Sequence, residues 1–526
     1  MTTTLHLFNS WTRSREPFEP LDARQARVYA CGPTVYDYAH IGNFRFNVWV
    51  DVLRRTLEWV GYDVTLVMNI TDVDDKTIAG AAKSGESLQE YTARYTEAFF
   101  DDLSALRIKP ASQYPRATEH IDEMVELVER LIERGLAYRQ DGSIYFRVDA
   151  FPDYGKLSRL DPTQLRSTGR VEGDAYDKES ARDFALWKGA KEGEPAWETA
   201  IGSGRPGWHL ECSAMSMKYL GTTFDIHVGG VDLMFPHHEN EIAQSVGATG
   251  EPLARFWLHC AHLVVDGTKM SKSLGNQYTL RQLVDEGHDP VAIRYLLASV
   301  HYRKQLNFTF AALAQAQAAI TRLRELVLRL EREVEGLPAA RVGDGTEDPV
   351  ADAADPGGSA ERPGGGVAGP GVGTEGGGAA AEALRHADAG FRAAITDDLN
   401  TSGALGHMFT LVKATNAALD SGDLRRGEGA AILDWFRDVD RIWALLPGGD
   451  DLLERTIEVE GATLQALGPP ISDGDFALIT ARVKARAARD FAAADKLRDA
   501  LLARGISLED TAKGVRWHVG GATAAS

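Results

Sequence analysis

The sequence predicts an α/β fold on a parallel sheet, broken by an insertion and followed by helices and a small mixed unit. Three observations predict it. Strand-like and helix-like stretches alternate between Arg27 and Ile70. Residues 143–205 change character to short strands, many Gly and Pro, and polar loops. From residue 306 onward the periodicity is helical, interrupted once by an abrupt change of composition.

Taken in order, Arg27-Val28-Tyr29-Ala30-Cys31 reads as a short buried strand that Gly32-Pro33 ends. Apolar residues then recur at helical spacing from Ile41 to about Trp59. Asp63–Ile70 (DVTLVMNI) is a second strand. Strand, loop, helix, strand is the opening of a nucleotide-binding α/β unit. Helix-like patterns with turns fill 75–135, and 143–205 reads as an insertion. FDIHV (224–228) and HLVVD (262–266) resume the strand pattern. An amphipathic helix runs over about 310–335. Residues 341–380 then hold 13 Gly and 4 Pro among 40, without an aromatic residue. Such a stretch cannot bury enough apolar surface to offset its ordering entropy, so it is expected to be a flexible linker or disordered insertion. Helices resume over about 381–446, and a final unit is expected over 470–520.

The 526 residues correspond to three or four domains at roughly 150 residues each. No run approaches the roughly 20 apolar residues of a membrane helix. The start, Met1-Thr2-Thr3-Thr4-Leu5-His6, lacks the basic-then-apolar pattern of an export signal. Three cysteines cannot build a disulfide framework and fit a reducing cytoplasm. The net charge of −19 excludes a uniformly basic nucleic-acid coat but leaves room for a local basic face.

Two short words point to phosphate. His40-Ile41-Gly42-Asn43 sits in the turn before the first helix. A helix start offers unpaired N–H groups and a positive dipole end; Gly42 admits close approach, and His40 can donate to a phosphate oxygen. A helix-capping histidine is the plainer reading. Lys269-Met270-Ser271-Lys272-Ser273 sets two lysines three apart among hydroxyl residues, able to wrap a polyphosphate. Alone it would be a solvated basic turn. The two words together, in this order, resemble the HIGH and KMSKS signatures of class I aminoacyl-tRNA synthetases. Asn43 stands where the second histidine of the first signature falls; it hydrogen-bonds but carries no proton.

Cysteine and histidine usage narrows the reading. Cys31 ends the first strand, Cys212 lies in GWHLEC, and His237 and Glu241 lie in FPHHENE. Pro236 suits a first helical turn, and His237 and Glu241, four apart, share a helix face. Two thiols, an imidazole and a carboxylate are ligand types that zinc accepts, although no C-x-x-C knuckle is present. Buried cysteines and a surface HHEN helix are the alternatives. The words CGPTVYDYAHIGN, NITDVDDK, GRPGWHLEC, VDLMFPHHENEIAQS and KMSKSLGN resemble the cysteinyl-tRNA synthetase family across roughly residues 24–305. GISLEDTAKGVRW resembles that family's C-terminal end.

The resemblance implies a Rossmann-like parallel-sheet catalytic domain (1–120 and 206–305, with the KMSKS loop) carrying a connective insertion (121–205). It further implies an α-helical bundle on the anticodon side (306–340 and 381–450) and a small mixed anticodon-binding domain (470–526), with 341–380 as linker. It implies one zinc ion held by Cys31, Cys212, His237 and Glu241, selecting the thiolate of L-cysteine over the hydroxyl of serine, which size alone separates poorly. Thr71, Trp208, Asp232 and His227 are implied substrate-pocket residues. Trp208 would cover the substrate, Asp232 would hold its amino group, and His227 and His238 would support the metal pocket. His40, Asn43, Lys269 and Lys272 are the implied catalytic residues. With Gly42, Ser271 and Ser273 they would bind ATP and its Mg²⁺, and transfer would go first to the 2′-hydroxyl of tRNA(Cys). Cys260 reads as a buried small hydrophobe. The acids of Thr71-Asp72-Val73-Asp74-Asp75-Lys76 read as helix caps rather than a calcium loop.

Residues 481–504 hold seven Arg or Lys and three Asp, a local charge of +4. Ala-rich spacing makes this a helix that can meet a phosphate backbone or merely present a solvated face. Beyond it, Arg516 and Trp517 are expected where an unstacked base could stack. Two rival functions remain: a cysteine ligase acting on an aminosugar, which would lack the C-terminal RNA-binding end, and an inactive zinc- or RNA-binding paralogue.

Overall fold

The computed structural model describes residues 4–159, 183–271, 274–337, 378–446, 453–459, 462–468, 473–504, 506–511 and 514–519. Most of the glycine-rich stretch expected over 341–380, together with Lys272 and Ser273, lies outside them. The chain divides into two compact units, Met1–Ala316 with Gly336–Ile432 and Gln317–Glu335 with Leu433–Ser526.

The first unit opens on a hairpin, β1 (His6–Asn9) and β2 (Ser14–Pro17). Next come β3 (Gln25–Ala30), α1 (Ile41–Trp59) and β4 (Asp63–Met68). Helix α1 starts where it does because His40 caps it: Asn43 N donates to His40 Nδ1 (3.2 Å), and Asn43 Oδ1 accepts from His40 N (3.0 Å). Helices α2 (Asp75–Ser84), α3 (Leu88–Ala105) and α4 (Ile121–Glu133) follow. Asp74 caps α2, as its acidic run suggested. The insertion is an antiparallel sheet of β5 (Ala137–Gln140), β6 (Ser143–Phe146), β7 (Phe184–Gly189) and β8 (Gly204–Pro206).

Helix α5 (Trp208–Leu220), β9 (Phe224–Gly230), α6 (His237–Thr249) and β10 (Ala254–Cys260) return the chain to the first sheet. That sheet is fully parallel, in the order β10-β9-β3-β4. Its strands are buried on both faces, as a helix-covered parallel sheet requires. The chain winds outward from β3 to β4 on one side and from β9 to β10 on the other. The crevice beyond the carboxyl ends of β3 and β9 is therefore the switch point, where ligands settle in such sheets. Strands β11 (Leu263–Val265), β12 (Thr268–Lys269) and β13 (Leu306–Phe308) form a small sheet, with α7 (Leu280–Asp285) and α8 (Pro290–Ser299) between the last two.

Helix α9 (Phe310–Glu333) begins in the first unit; α10 (Ala379–Ile395) and α11 (Thr401–Asp420) belong to it, and α12 (Arg426–Trp443) leaves it. The second unit ends in β14 (Leu453–Val459), β15 (Ala462–Gly468), α13 (Asp473–Ala487), α14 (Phe491–Leu502), β16 (Ile506–Thr511) and β17 (Gly514–Val519). The sheet runs β14-β15-β17-β16, so two of its strands precede residue 470. The expected single basic helix is two helices, because Arg489 takes a left-handed φ of 62° and Asp490 caps α14. Trp517 is not a stacking platform. It is fully buried against Ile457, Ile479 and Leu501, with the Phe476 ring 5.7 Å away. The apolar area that a tryptophan buries outweighs its use at the surface of so small a core.

Candidate active site and metal centre

Each expected metal ligand arrives from a different turn of the switch-point framework. Cys31 follows the last residue of β3. Cys212 sits on the second turn of α5, and His237 and Glu241 lie one turn apart at the start of α6. One ligand atom from each lies within 4.8 Å of every other. None of the four is more than 7% exposed. The surface HHEN helix is thereby overturned: His237, His238, Glu239, Asn240 and Glu241 are all buried. The run splits its work. Glu239 accepts from Gly155 N and Ser158 N, and Asn240 from Tyr154 Oη, while the other three face the pocket.

Glu241 is held between two imidazoles, with Oε1 3.0 Å from His237 Nε2 and Oε2 2.7 Å from His227 Nε2. These imidazoles keep its carboxyl far below the usual range despite the opposing effect of burial. The Cys31 hydrogen bond brings the Cys212 thiol down to about 6 against burial. Burial drives the Cys31 thiol well up. Burial would lower His237, yet Glu241 and Cys212 carry it to about 10. Two soft sulfurs, an imidazole and a carboxylate in a dry pocket suit zinc, whose charge would replace the protons these groups otherwise share.

A supporting layer surrounds the four. His238 Nε2 is 3.4 Å from Cys31 Sγ, and its Nδ1 is 2.9 Å from His259 Nε2; His259 in turn meets Ser10 Oγ at 2.8 Å. His227 stacks on Trp257 at 4.5 Å. Cys31, His227, His238 and Glu241 also form a close set of donors. Their hydrogen bonds make His227 and His238 the orienting partners of Glu241 and Cys31. Trp208 lies over His237 with ring centroids 4.4 Å apart and is 39% exposed, so it forms the pocket's outer wall.

Other expected pocket residues divide. Thr71 is buried and donates to Glu211 Oε2 at 2.8 Å. Asp232 is largely exposed at the end of β9, 3.8 Å from His262. The sequence reading passed over Asn69, Glu211 and His259. Glu211, an acid on an otherwise buried helix face, was the most visible signal of the three. Cys260 is buried, its thiol pushed up to about 11 by burial.

The phosphate words meet at the other side of the crevice. Ile41 N donates to Tyr278 O, and His40 pairs with Thr279, so the segment following the lysines abuts the α1 start. A Cβ on Gly42 would come within 2.9 Å of Met270 Cε. Asn276 braces the loop, accepting from Ser271 N (2.9 Å) and donating to Lys269 O (3.3 Å). Lys269 is exposed, and Lys272 and Ser273 lie outside the described residues. The helix-capping reading of His40 holds, since its Nδ1 accepts from Asn43 N at the start of α1.

In the second unit, the basic stretch is partly neutralised. Arg482 and Arg486 pair with Asp510, Arg498 with Asp495 and Asp499, and Arg504 with Asp475. Lys484, Arg489 and Lys496 remain exposed.

Comparison with known proteins follows the same division. Residues 17–318 match the family described as tRNA synthetases class I (C) catalytic domain. Residues 390–439 match the DALR domain, and 468–517 the cysteinyl-tRNA ligase anticodon binding domain. The chain is 47% identical to a cysteine–tRNA ligase of Solibacter usitatus, covering 98% of this chain and 99% of that one. It is 46% identical to that of Koribacter versatilis, at 98% and 99% coverage. Among solved structures, a Mycobacterium tuberculosis methionyl-tRNA synthetase with methionyl-adenylate superposes with TM-score 0.54 at 16% identity, covering 80% of this chain and 90% of that one. An Agrobacterium radiobacter leucyl-tRNA synthetase in a ternary complex does so at 0.55 and 11%, covering 96% and 97%. These two likenesses concern the fold alone.

Proposed function

We infer the function from the premise that the chain belongs to the cysteine–tRNA ligase family of class I aminoacyl-tRNA synthetases. It activates L-cysteine with ATP and transfers the cysteinyl group to tRNA(Cys). The cysteine carboxylate attacks the α-phosphate, giving cysteinyl-adenylate and pyrophosphate. A terminal ribose hydroxyl of the tRNA then takes the cysteinyl group and releases AMP.

One observation carries the substrate assignment: two thiols, an imidazole and a carboxylate converge within 4.8 Å at the switch point, in the crevice that the nucleotide signatures also line. Cys31, Cys212, His237 and Glu241 would hold zinc. Bound zinc supplies a soft Lewis acid that favours a thiolate over a hydroxyl. His227 and His238 orient Glu241 and Cys31, and Trp208 shields the pocket from water. His40 Nε2 and the positive dipole end of α1 stabilise the triphosphate, while Asn43 keeps His40 in place through the reciprocal cap. Lys269 and Lys272 neutralise the departing pyrophosphate with Mg²⁺ brought in by ATP.

The anticodon-binding match at 468–517 supports tRNA over an aminosugar as acceptor. The exposed Lys484, Arg489 and Lys496 are suited to its phosphates. Within the described residues no helix is long and apolar enough to cross a membrane. Three free, buried cysteines fit the cytoplasm as the place of action. The test is cysteine-dependent exchange between pyrophosphate and ATP, measured beside metal content and serine activation. Metal-loaded protein that exchanges nothing, or that accepts serine equally well, refutes the reading.

A further inference from the structure

Glu211 lies between Leu210 and Cys212 on α5 and is 1% exposed. Its Oε2 accepts from Thr71, but its Oε1, equally buried, has no hydrogen-bond partner among the described residues. A buried carboxylate oxygen without a partner is costly, and such positions signal a missing ligand group.

The bonds leading to Glu211 have a fixed direction. Gly32 N can only donate, so the Asn69 atom 2.8 Å away is the amide oxygen. The Asn69 amide nitrogen therefore donates to Thr71 Oγ1 at 3.1 Å. The hydroxyl proton of Thr71 goes to Glu211, leaving Thr71 one unused acceptor lone pair. No other residue fits at position 32, because a Cβ there would fall 1.7 Å from Asn69 O. The relay thus joins the residue after one expected ligand, Cys31, to the residue before the other, Cys212.

We propose that Glu211 is a positioning residue for the amino group of the substrate: it turns Thr71 into an acceptor for the ammonium and supplies the buried negative charge that the ammonium meets. The proposal rests on the cysteine pocket described above. Asp232, the residue first expected in this role, has a side chain 64% exposed, where water screens its charge.

The test is a cycle that pairs a change in the protein with a change in the ligand. Calorimetry on zinc-loaded protein compares cysteine with 3-mercaptopropionate, which keeps the thiol and carboxylate but lacks the amine. Glu211→Gln keeps an acceptor for Thr71 and removes the charge. It is expected to weaken cysteine about tenfold or more, at the scale of a charged hydrogen bond, while leaving 3-mercaptopropionate and zinc content unchanged. Equal weakening of both ligands, or none, overturns the proposal. Should Glu211→Gln fail to fold, Thr71→Val is carried through the same cycle with the same expectation. Wild-type protein that binds cysteine no better than serine overturns the functional reading as well. Normal wild-type selectivity with no amine-dependent loss in either variant overturns the Glu211 role alone.

Discussion

The two halves of the crevice are built on opposite plans. At the end proposed to bind sulfur, Cys31, Cys212, His237 and Glu241 are buried, and His227, His238, His259 and Ser10 continue the hydrogen bonding behind them. At the end proposed to bind phosphate, Lys269 and Asn43 face solvent, and the loop is braced chiefly by Asn276. The contrast follows from the ligands. A small thiol is told from a hydroxyl only by groups held still and dry, where electrostatic differences are large. A triphosphate brings its own charge, and its β- and γ-phosphates must leave as pyrophosphate, so partners at the solvent edge suit it.

Predictions break or sharpen this contrast, the largest first. Cys212→Ser is expected to cut zinc content and cysteine activation together, by more than about a hundredfold, beyond the effect of changing only a metal's outer partners. Full zinc occupancy with normal exchange would remove Cys212 from the ligand set. Lys269→Ala is expected to lower kcat for exchange by about a hundredfold or more, as loss of one transition-state donor does, with zinc content intact. Zinc lost with the lysine would mean that the two ends are a single unit. His227→Gln is expected to weaken zinc about 10- to 100-fold, with little change in the KM for ATP, as measured by chelator competition.

The smallest effect is on stability. Burial lowers His259 from 6.5 to about 3. Below pH 6.5 the unfolded ring binds a proton that the folded ring refuses. Stability is therefore lost as pH falls from about 6.5 toward 3, by up to about 1.4 kcal/mol per pH unit. Denaturant titrations of His259→Gln at pH 7 and pH 5 should show a shallower loss than wild type. An equal loss would mean that folding leaves the pKa of His259 unchanged.

Local order was legible where one residue type has one use. Gly32-Pro33 ends β3, apolar spacing runs through α1, and the Cys, Cys, His and Glu that the family resemblance singled out from three separate words come together in one buried cluster. Less legible were features whose meaning depends on what lies opposite. The HHENE run is polar enough to read as surface, yet it is buried because β9, β10 and the 154–158 turn supply its partners. Trp517 reads as a platform but fills a small core. Strands β14 and β15 went unread, since LERTIEV and ATLQALG hold no apolar run long enough to stand out in the sequence.

By itself the sequence determined the kinds of chemistry present: helix starts, thiols and imidazoles in number, a lysine pair, and a glycine where backbone crowds. Tertiary structure alone decided which groups share one dry volume and which way each hydrogen bond runs. Those properties depend on distances between segments far apart in the chain, and on the burial that makes a partnerless oxygen such as Glu211 Oε1 costly.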